Sequence, residues 1–571
     1  MRPQDWMSLG ACALLGLLGA GCGAPSSVDG AAGPAPELES QRAGAAVKVS
    51  KAVGKKVYVH LMPWFETRAT SGNGGWGIHW TMANQNPDVV DGSGRRQIAS
   101  HYYPLIGPYG SGDRDVVEYQ LLLMKYAGVD GVLIDWPGTI NAFDYPKNRA
   151  NSEAVIAQTA AVGLDFAVVY EDHNVKFAYD GGFITDKPGA ARNDMAYLRD
   201  RYFNQPNYIR QDNAPLLLVF GPQTFQSPGE WTNVFSPLSQ KPTFLTLWYE
   251  SGEAGGNAKG EFAWIYPDFT EGLTHFYNNQ PSPLKFGSVY PGFRSFYAAG
   301  GWGGPTWEIA HNGLNSFNQT LDLAKNAASI NHFQINTWND YGEGTMIEPT
   351  REFGYGFLTS LQQKLGVPYS QSELELINTL YQQRKQYAGD GNKQAQLNQA
   401  AAALSALDVT QARNILNGGG GGGTGVSITN GGFESGMTGW STWTPNNTAG
   451  AAFAETYNGG HNSANHLTHW SGAPFETWTY QAVSGLASGN YKVRAWVRKG
   501  GGFDMARFQV KACTSCTFAF TTLGTYGDWT QVETPAVSVT GGFLEFGFHT
   551  RALTGNTANF IHMDDVSIIK L

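Results

Sequence analysis

Eight short, almost wholly apolar runs, separated by longer stretches with helical spacing, narrow most what this chain can become. The runs are Val57–Trp64, Gly131–Trp136, Leu164–Glu171, Pro215–Phe220, Thr243–Tyr249, Phe262–Tyr266, Gly287–Tyr290 and His332–Trp338. They do not alternate polar with apolar, so neither face suits water. That is the pattern of parallel strands covered on both sides. Helical stretches at Val116–Ala127, Ser152–Ala161, Asn193–Phe203 and Ser316–Ala328 fall between them. Repeating the strand–helix unit in this way predicts an α/β fold, a (β/α)8 TIM-type barrel. A doubly wound sheet is the competitor, but no glycine-rich phosphate-binding fingerprint follows the first strand.

The barrel cannot account for the whole chain of 571 residues, because single cores stop growing at about 250–300 residues. Gly418–Gly423 is an unbroken glycine run, which holds no one backbone conformation cheaply and so separates two bodies. The expected organisation is a barrel over 51–371, a polar helical segment over 372–417, a linker over 418–425 and a β domain over 426–571. The helical segment reads as a pair packed on the barrel or as a stalk ahead of the linker. In the last domain, alternating segments such as YKVRAWV and FLEFGF are separated by Gly, Asn and Thr turns. They predict an all-β sandwich.

Residues 1–22 read as an export signal: Arg2, then an apolar run from Leu9 to Gly21 that is too short to span a bilayer. The run ends at Cys22, in a string similar to a bacterial lipobox, where the cysteine carries a lipid. Ordinary cleavage near Ala24 is the alternative. Residues 23–50, rich in Ala, Gly, Pro and Ser, read as a tether. The expected location is the cell envelope or the outside, with a membrane met only through that lipid. In an oxidising compartment Cys513 and Cys516, in CTSC, read as a small structural disulfide.

Charged residues make up 15% of the chain and the net charge is -9, which excludes a basic nucleic-acid binder. Aromatic residues reach 13%. Flat rings stack on the C–H faces of sugars, so this balance suits a neutral polysaccharide as partner. A monomer is expected.

In such a barrel the active site lies at the C-terminal ends of the strands. Asp135 with Trp136, Glu171, Tyr249 and Tyr266 each follow an apolar run directly. The last run leads into WNDYGEGTMIEPT, with Asp340, Glu343 and Glu348 within nine positions. Glycosidic cleavage needs two carboxyl groups in one cleft. One is protonated for the leaving oxygen and the other ionised, to act as base. Asp340 and Glu343 stand three apart, so one turn can present both.

That closing stretch resembles the clan shared by glycoside hydrolase families 71 and 99. Its N-D-Y-G-E half is similar to family 71 α-1,3-glucanases, and its G-T-x-I-E-P half to family 99 endo-α-mannosidases. MPWF (Met62–Phe65) with His79 and Trp80, GPYGSGD (Gly107–Asp113) and AGVDGVLIDW (Ala127–Trp136) match further family motifs in order. The resemblance implies an endo-acting hydrolase on an α-linked polysaccharide, α-1,3-glucan first and α-mannan second, with no cofactor for catalysis. It assigns the acid to Glu343 and the base to Asp340, with Asp135 a third carboxylate. In family 99 the base addresses the sugar's own 2-hydroxyl; in family 71 inversion is expected. Around them Glu171, Trp64, His79, Trp80, Tyr109, Tyr249, Tyr266, Trp338 and Tyr341 are expected to bind substrate, with Trp136 the stacking platform. A hydrolase of another, β-linked wall glucan and a non-catalytic glycan-binding lipoprotein are the alternatives.

NGGFESGMTGW (Asn430–Trp440) and FIHMDDVSI (Phe560–Ile568) resemble the opening and closing strands of jelly-roll carbohydrate-binding modules. The resemblance implies a structural calcium on Glu434 with Asp564 or Asp565. Acids that merely cap the sandwich edge are the alternative. Trp440, Trp443, Trp470 and Trp478 are candidates for a sugar platform, one or two of them belonging to the core.

Overall fold

The structure, a computed structural model, describes residues 46–416, 428–445, 450–461, 464–555 and 558–571. The candidate export signal, Cys22 and the glycine run lie outside the described residues. The chain divides into two compact units. One runs to Gln386 and includes Ala401–Leu407; the other comprises Tyr387–Ala400 and Asp408–Leu571.

In the first unit eight parallel strands form a closed barrel: β1 Lys56–Leu61, β2 Gly131–Trp136, β3 Asp165–Tyr170, β4 Ala214–Val219, β5 Thr243–Leu247, β6 Ala258–Phe262, β7 Lys285–Val289 and β8 His332–Ile335. Each pairs with the next, β8 pairs with β1, and the β3–β4 ladder completes the ring. The apolar runs mark these strands in order but overrun their ends. β1 stops before Trp64, β8 stops before Trp338, and β6 sits four residues earlier than Phe262–Tyr266. The cause is burial. Met62, Phe65, Ala263, Trp264 and Trp338 lie beyond the last ladder bonds yet remain in the interior, and apolarity marks burial, not hydrogen bonding.

Helices α1 Arg114–Tyr126, α2 Tyr145–Val162, α3 Lys187–Arg201 and α4 Asn315–Asn326 lie between strands as expected. Asp113 starts α1 by accepting from the backbone N–H groups of Asp115 and Val116, the usual N-cap arrangement. A later helix, α5 Gln371–Gln386, packs on α1. There the buried Arg384 guanidinium forks onto Glu118 at 2.9 and 3.0 Å, and Tyr381 meets Tyr119 with ring centroids 5.2 Å apart. This helix belongs to the barrel unit, and the remainder of the 372–417 segment is shared between the units. Among the described residues no helix is long and apolar enough to cross a membrane.

The second unit holds strands β9 Ser441–Trp443, β10 Ala452–Glu455, β11 His466–His469, β12 Phe475–Val483, β13 Gly489–Lys499, β14 Met505–Lys511, β15 Ala519–Thr522, β16 Tyr526–Glu533, β17 Val537–Val539, β18 Leu544–Ala552 and β19 Ile561–Lys570. They make two antiparallel sheets, ordered β9-β12-β18-β14-β15 and β10-β11-β19-β13-β16, with β17 on β13. The period-two pattern of YKVRAWV is realised literally. Tyr491, Val493, Ala495 and Val497 face the core with Phe508, Phe546 and Phe548. A disulfide joins Cys513 and Cys516 between β14 and β15.

Candidate active site

Period-two geometry decides which residue of each β strand enters the barrel mouth. On β2 it is Asp135, and the adjacent Trp136 is thrown to the other side. Trp136 is fully buried against Tyr197 of α3, ring centroids 5.9 Å apart, and beside Tyr170 and Tyr202. It packs strand to helix and offers no face to a sugar, which corrects its expected role as stacking platform.

After β8 the chain folds into a tight loop held by hydrogen bonds. Trp338 N–H donates to the His60 carbonyl at 2.7 Å, Asn339 bonds both the N–H and the carbonyl of Met62, and Asp340 N–H donates to Thr337 Oγ1 at 2.7 Å. Behind it the Glu348 carboxylate accepts from Tyr109 and Tyr341 hydroxyls at 2.7 and 2.9 Å and from Gln120 at 2.8 Å. Those bonds occupy Glu348 as an anchor. Trp80, Tyr109, Trp338 and Tyr341 are all buried in this support, so they position the loop and do not line the cleft. Tyr249 is another correction: it is exposed, bonds His275 through its hydroxyl at 3.0 Å, and lies off the cleft.

What the loop presents is Asp340 and Glu343. Both line one cleft with Asp135, Glu171, Trp64, His79 and Tyr266. The Glu343 backbone N–H donates to Asp340 Oδ1 at 3.0 Å. Burial raises the Asp340 carboxyl to about 6, and backbone N–H bonds limit that rise. Glu343 is raised well above the ordinary carboxylate range, first by burial and then by the charge of Asp340. Their proton affinities are thereby pushed apart: near neutral pH Asp340 is ionised and Glu343 holds a proton.

Asp135 and Glu171 form a second couple. Burial raises both, Glu171 to about 8, and each feels the other directly. His173 Nδ1 lies 2.7 Å from Glu171 Oε2, although that approach lies off the line a hydrogen bond needs. Two buried carboxyls in contact share a proton, so this couple offers a donor and an acceptor side by side. By contrast Asp172, the next residue, is taken up by the backbone N–H groups of Gln223, Thr224 and Phe225 and is structural.

One wall of the cleft was not evident in the sequence. After β7 the chain runs beside the catalytic loop, with Arg294 N–H on the Glu343 carbonyl and Phe296 N–H on the Gly342 carbonyl, both at 2.8 Å. This places Tyr297 with its hydroxyl 3.4 Å from Glu343 Oε1, and stacks Trp302 on Tyr297 with centroids 6.0 Å apart. Trp307 follows in the same wall, stacked on Phe293 at 3.9 Å. Trp64 stacks on His79 at 4.3 Å, and His79 in turn meets Trp302 edge-on at 6.1 Å. The only sequence signal for that wall was tryptophan in a glycine-rich loop, GGWGGPTW.

No protein-family model matches the chain. Curated relatives are glycoprotein endo-alpha-1,2-mannosidases of Xenopus laevis, 22% identical over 44% of this chain and 59% of that protein, and of Mus musculus, 23% identical over 48% and 63%. These relatives bear out the resemblance of the barrel to the family 71/99 clan. An uncharacterized protein WxcX of Xanthomonas campestris pv. campestris is 23% identical over 36% of this chain and 35% of that one. The chain thus spans between about a third and two thirds of the length of these relatives. Among solved structures, a GH99 endo-alpha-mannosidase from Bacteroides thetaiotaomicron superposes with TM-score 0.41 at 18% identity, over 57% of this chain and 98% of that one. TmCBM61 in complex with beta-1,4-galactotriose gives TM-score 0.23 at 19% identity, over 26% and 100%.

In the second unit, strand register lines up Trp443, Trp478, His549 and Arg507 across β9, β12, β18 and β14. With Phe518 and Phe520 they form a shallow groove. Trp440 is core, stacked on Phe433 at 5.0 Å, and Trp470 is exposed but outside the groove. Of the acids expected to hold calcium, Glu434 accepts the Asn465 N–H at 2.7 Å, Asp564 the His461 N–H at 2.8 Å, and Asp565 faces His461 Nδ1 at 2.9 Å. They hold His461 and Asn465 through protein donors. A histidine ring against Asp565 does not suit an all-oxygen calcium cage.

Proposed function

We propose that this protein is an endo-acting glycoside hydrolase of α-linked polysaccharide. The observation that carries the reading is the Asp340–Glu343 pair, two buried carboxyls in one cleft whose proton affinities are driven apart. Glu343 delivers its proton to the departing glycosidic oxygen. Asp340, ionised, removes a proton from water or from a hydroxyl of the substrate itself. The Asp135–Glu171 couple bonds sugar hydroxyls as donor and acceptor. Trp64 and Trp302, bridged by His79, offer aromatic faces to the sugar planes.

The named relatives favour an α-mannan as substrate. The Asp-Tyr-Gly-Glu sequence at 340–343 favours α-1,3-glucan as the second reading. The groove over Trp443 and Trp478 supports a sugar-binding role for the sandwich, which would hold the enzyme on insoluble polymer. Export, with or without a lipid on Cys22, suits a substrate too large to enter a cell. Catalysis by this carboxyl pair calls for no cofactor. The test is a product screen on yeast α-mannan, α-1,3-glucan, β-1,3-glucan and β-1,6-glucan. Internal cleavage of one of the α-linked polymers is expected. Cleavage confined to a β-glucan would overturn the substrate class, and no cleavage of any polymer would favour a binding protein.

A further inference from the structure

The outer face of the six-stranded sheet carries a cluster that sugar hydrolysis does not use. In β10 and β11 Glu455 stands opposite His466, and two residues along Thr468 stands opposite His562 of β19. The intervening Leu467 and Met563 point into the sandwich core. Period two therefore sends Glu455, His466 and His562 to the same outer face.

There the ligand atoms of the three lie within 4.8 Å of one another, the only such group among the described residues. Glu455 Oε1 is 3.8 Å from His466 Nε2 and 3.9 Å from His562 Nδ1. His466 is completely buried, and neither of its ring nitrogens has a hydrogen-bond partner. A buried imidazole with both nitrogens idle forfeits a desolvation cost of about 1–3 kcal/mol, which needs a reason. Trp529 sits over the cluster, its ring 5.8 Å from that of His466. His562 Nδ1 shares a hydrogen bond of 2.8 Å with Thr468 Oγ1, which an ion bound at that nitrogen would replace.

We propose that Glu455, His466 and His562 form a binding site for one divalent transition-metal ion of the zinc class. Two imidazoles and a carboxylate are the donor set such ions take, whereas calcium prefers oxygen alone. Around tetrahedral zinc, with bonds of about 2.0–2.2 Å, ligand atoms lie roughly 3.4 Å apart. The 3.8 and 3.9 Å spacings close to that with side-chain shifts of about half an ångström, and the third, within 4.8 Å, with larger ones. Arg498, opposite His562 in register, is a cation beside the cluster that the proposal must accommodate. Glu455 offsets its repulsion of the ion. With three protein ligands the fourth position is left to water or to a hydroxyl of a bound sugar. The ion would clip β10, β11 and β19 together.

The full chain, without a histidine tag and stripped with chelator, is titrated with ZnCl2 by calorimetry and melted with and without the ion. One zinc per chain is expected, with a rise in the melting temperature of the sandwich. Cobalt in its place should give the visible bands of a tetrahedral nitrogen–oxygen site. Glu455→Gln, at a half-buried position that keeps the side-chain shape, should weaken zinc roughly tenfold or more. His562→Gln should do the same if His466→Gln does not fold. Zinc bound equally by wild type and both variants, no zinc bound by wild type, or a response to CaCl2 but not to ZnCl2 would each overturn the proposal.

Discussion

The backbone N–H of Glu343 donates to Asp340 Oδ1 across 3.0 Å. The residue read as the acid thus helps hold its partner in the charged form, and that charge in turn raises the acid's own proton affinity. A turn of three-residue spacing achieves both effects, because the bond is local while the burial is supplied by the barrel mouth.

Replacing Glu343 by Gln removes the transferable proton and keeps the shape. Turnover should fall by about 10²–10⁴, with melting temperature and binding to the polymer substrate unchanged. Rates of hydrolysis together with a pull-down on insoluble polymer check this. Activity within a few-fold of wild type would remove Glu343 from the acid role.

The pH profile should be bell-shaped. Activity rises with pH as Asp340 ionises, at about 6, and falls at higher pH as Glu343 loses its proton. The Tyr297 hydroxyl stabilises the charged form of Glu343 and so lowers its affinity for the proton. Tyr297→Phe should therefore move the alkaline limb to higher pH and leave the acid limb in place. A profile of kcat/KM against pH reads both limbs.

Stability should fall as the solution becomes alkaline. Glu171 has its carboxyl raised from 4.5 to about 8 in the fold, so the folded state binds the proton more tightly than the unfolded chain. Its contribution is fully present below 4.5 and is lost as pH rises through about 8. With about 1.4 kcal/mol per pH unit as the ceiling for one group, the loss is of the order of a few kcal/mol. Glu171→Gln should flatten this slope between pH 5 and 8 in denaturant melts, the window set by that shift. An unchanged slope would mean that the Asp135–Glu171 couple stays charged.

Two tryptophans should separate cleanly. Trp136→Ala leaves a hole in a packed strand–helix layer and should cost about 3–5 kcal/mol of stability. Trp302→Ala removes a ring from the cleft wall and should raise KM about tenfold, the loss of one aromatic contact of roughly 1.4 kcal/mol, with little change in melting temperature. Equal thermal losses in the two variants would place Trp302 in the core.

Trp443 stands 47% exposed on the sandwich groove. Trp443→Ala should weaken retention on insoluble polymer several-fold and leave hydrolysis of soluble oligosaccharides unchanged, because the groove raises local concentration without shaping the cleft. Affinity electrophoresis beside a soluble-substrate assay distinguishes the two. A parallel loss on both substrates would give the groove a role in the reaction itself.

By itself the sequence determined the parts that follow from local pattern. Continuous apolar runs can be satisfied only as strands covered on both faces, so the eight strands and their order were legible. So was the period-two sandwich, whose inward residues Tyr491, Val493, Ala495 and Val497 alternate with polar ones. Asp340 and Glu343 were legible as a pair because three-residue spacing is local. The tertiary structure decided what depends on residues far apart in the chain. Alternation says that Asp135 and Trp136 face opposite ways but not which side is the mouth, and an apolar residue fits either side. The same holds for the ends of β1 and β8, where buried loops continue the apolar pattern of the strand. Tyr297 and Trp302 reach the cleft only through backbone bonds from Arg294 and Phe296 to Glu343 and Gly342, contacts some fifty residues apart that leave no mark on local composition. Which carboxyl keeps its proton is likewise a tertiary property, since burial and a neighbour's charge set it, and neither is written in the residue's own identity.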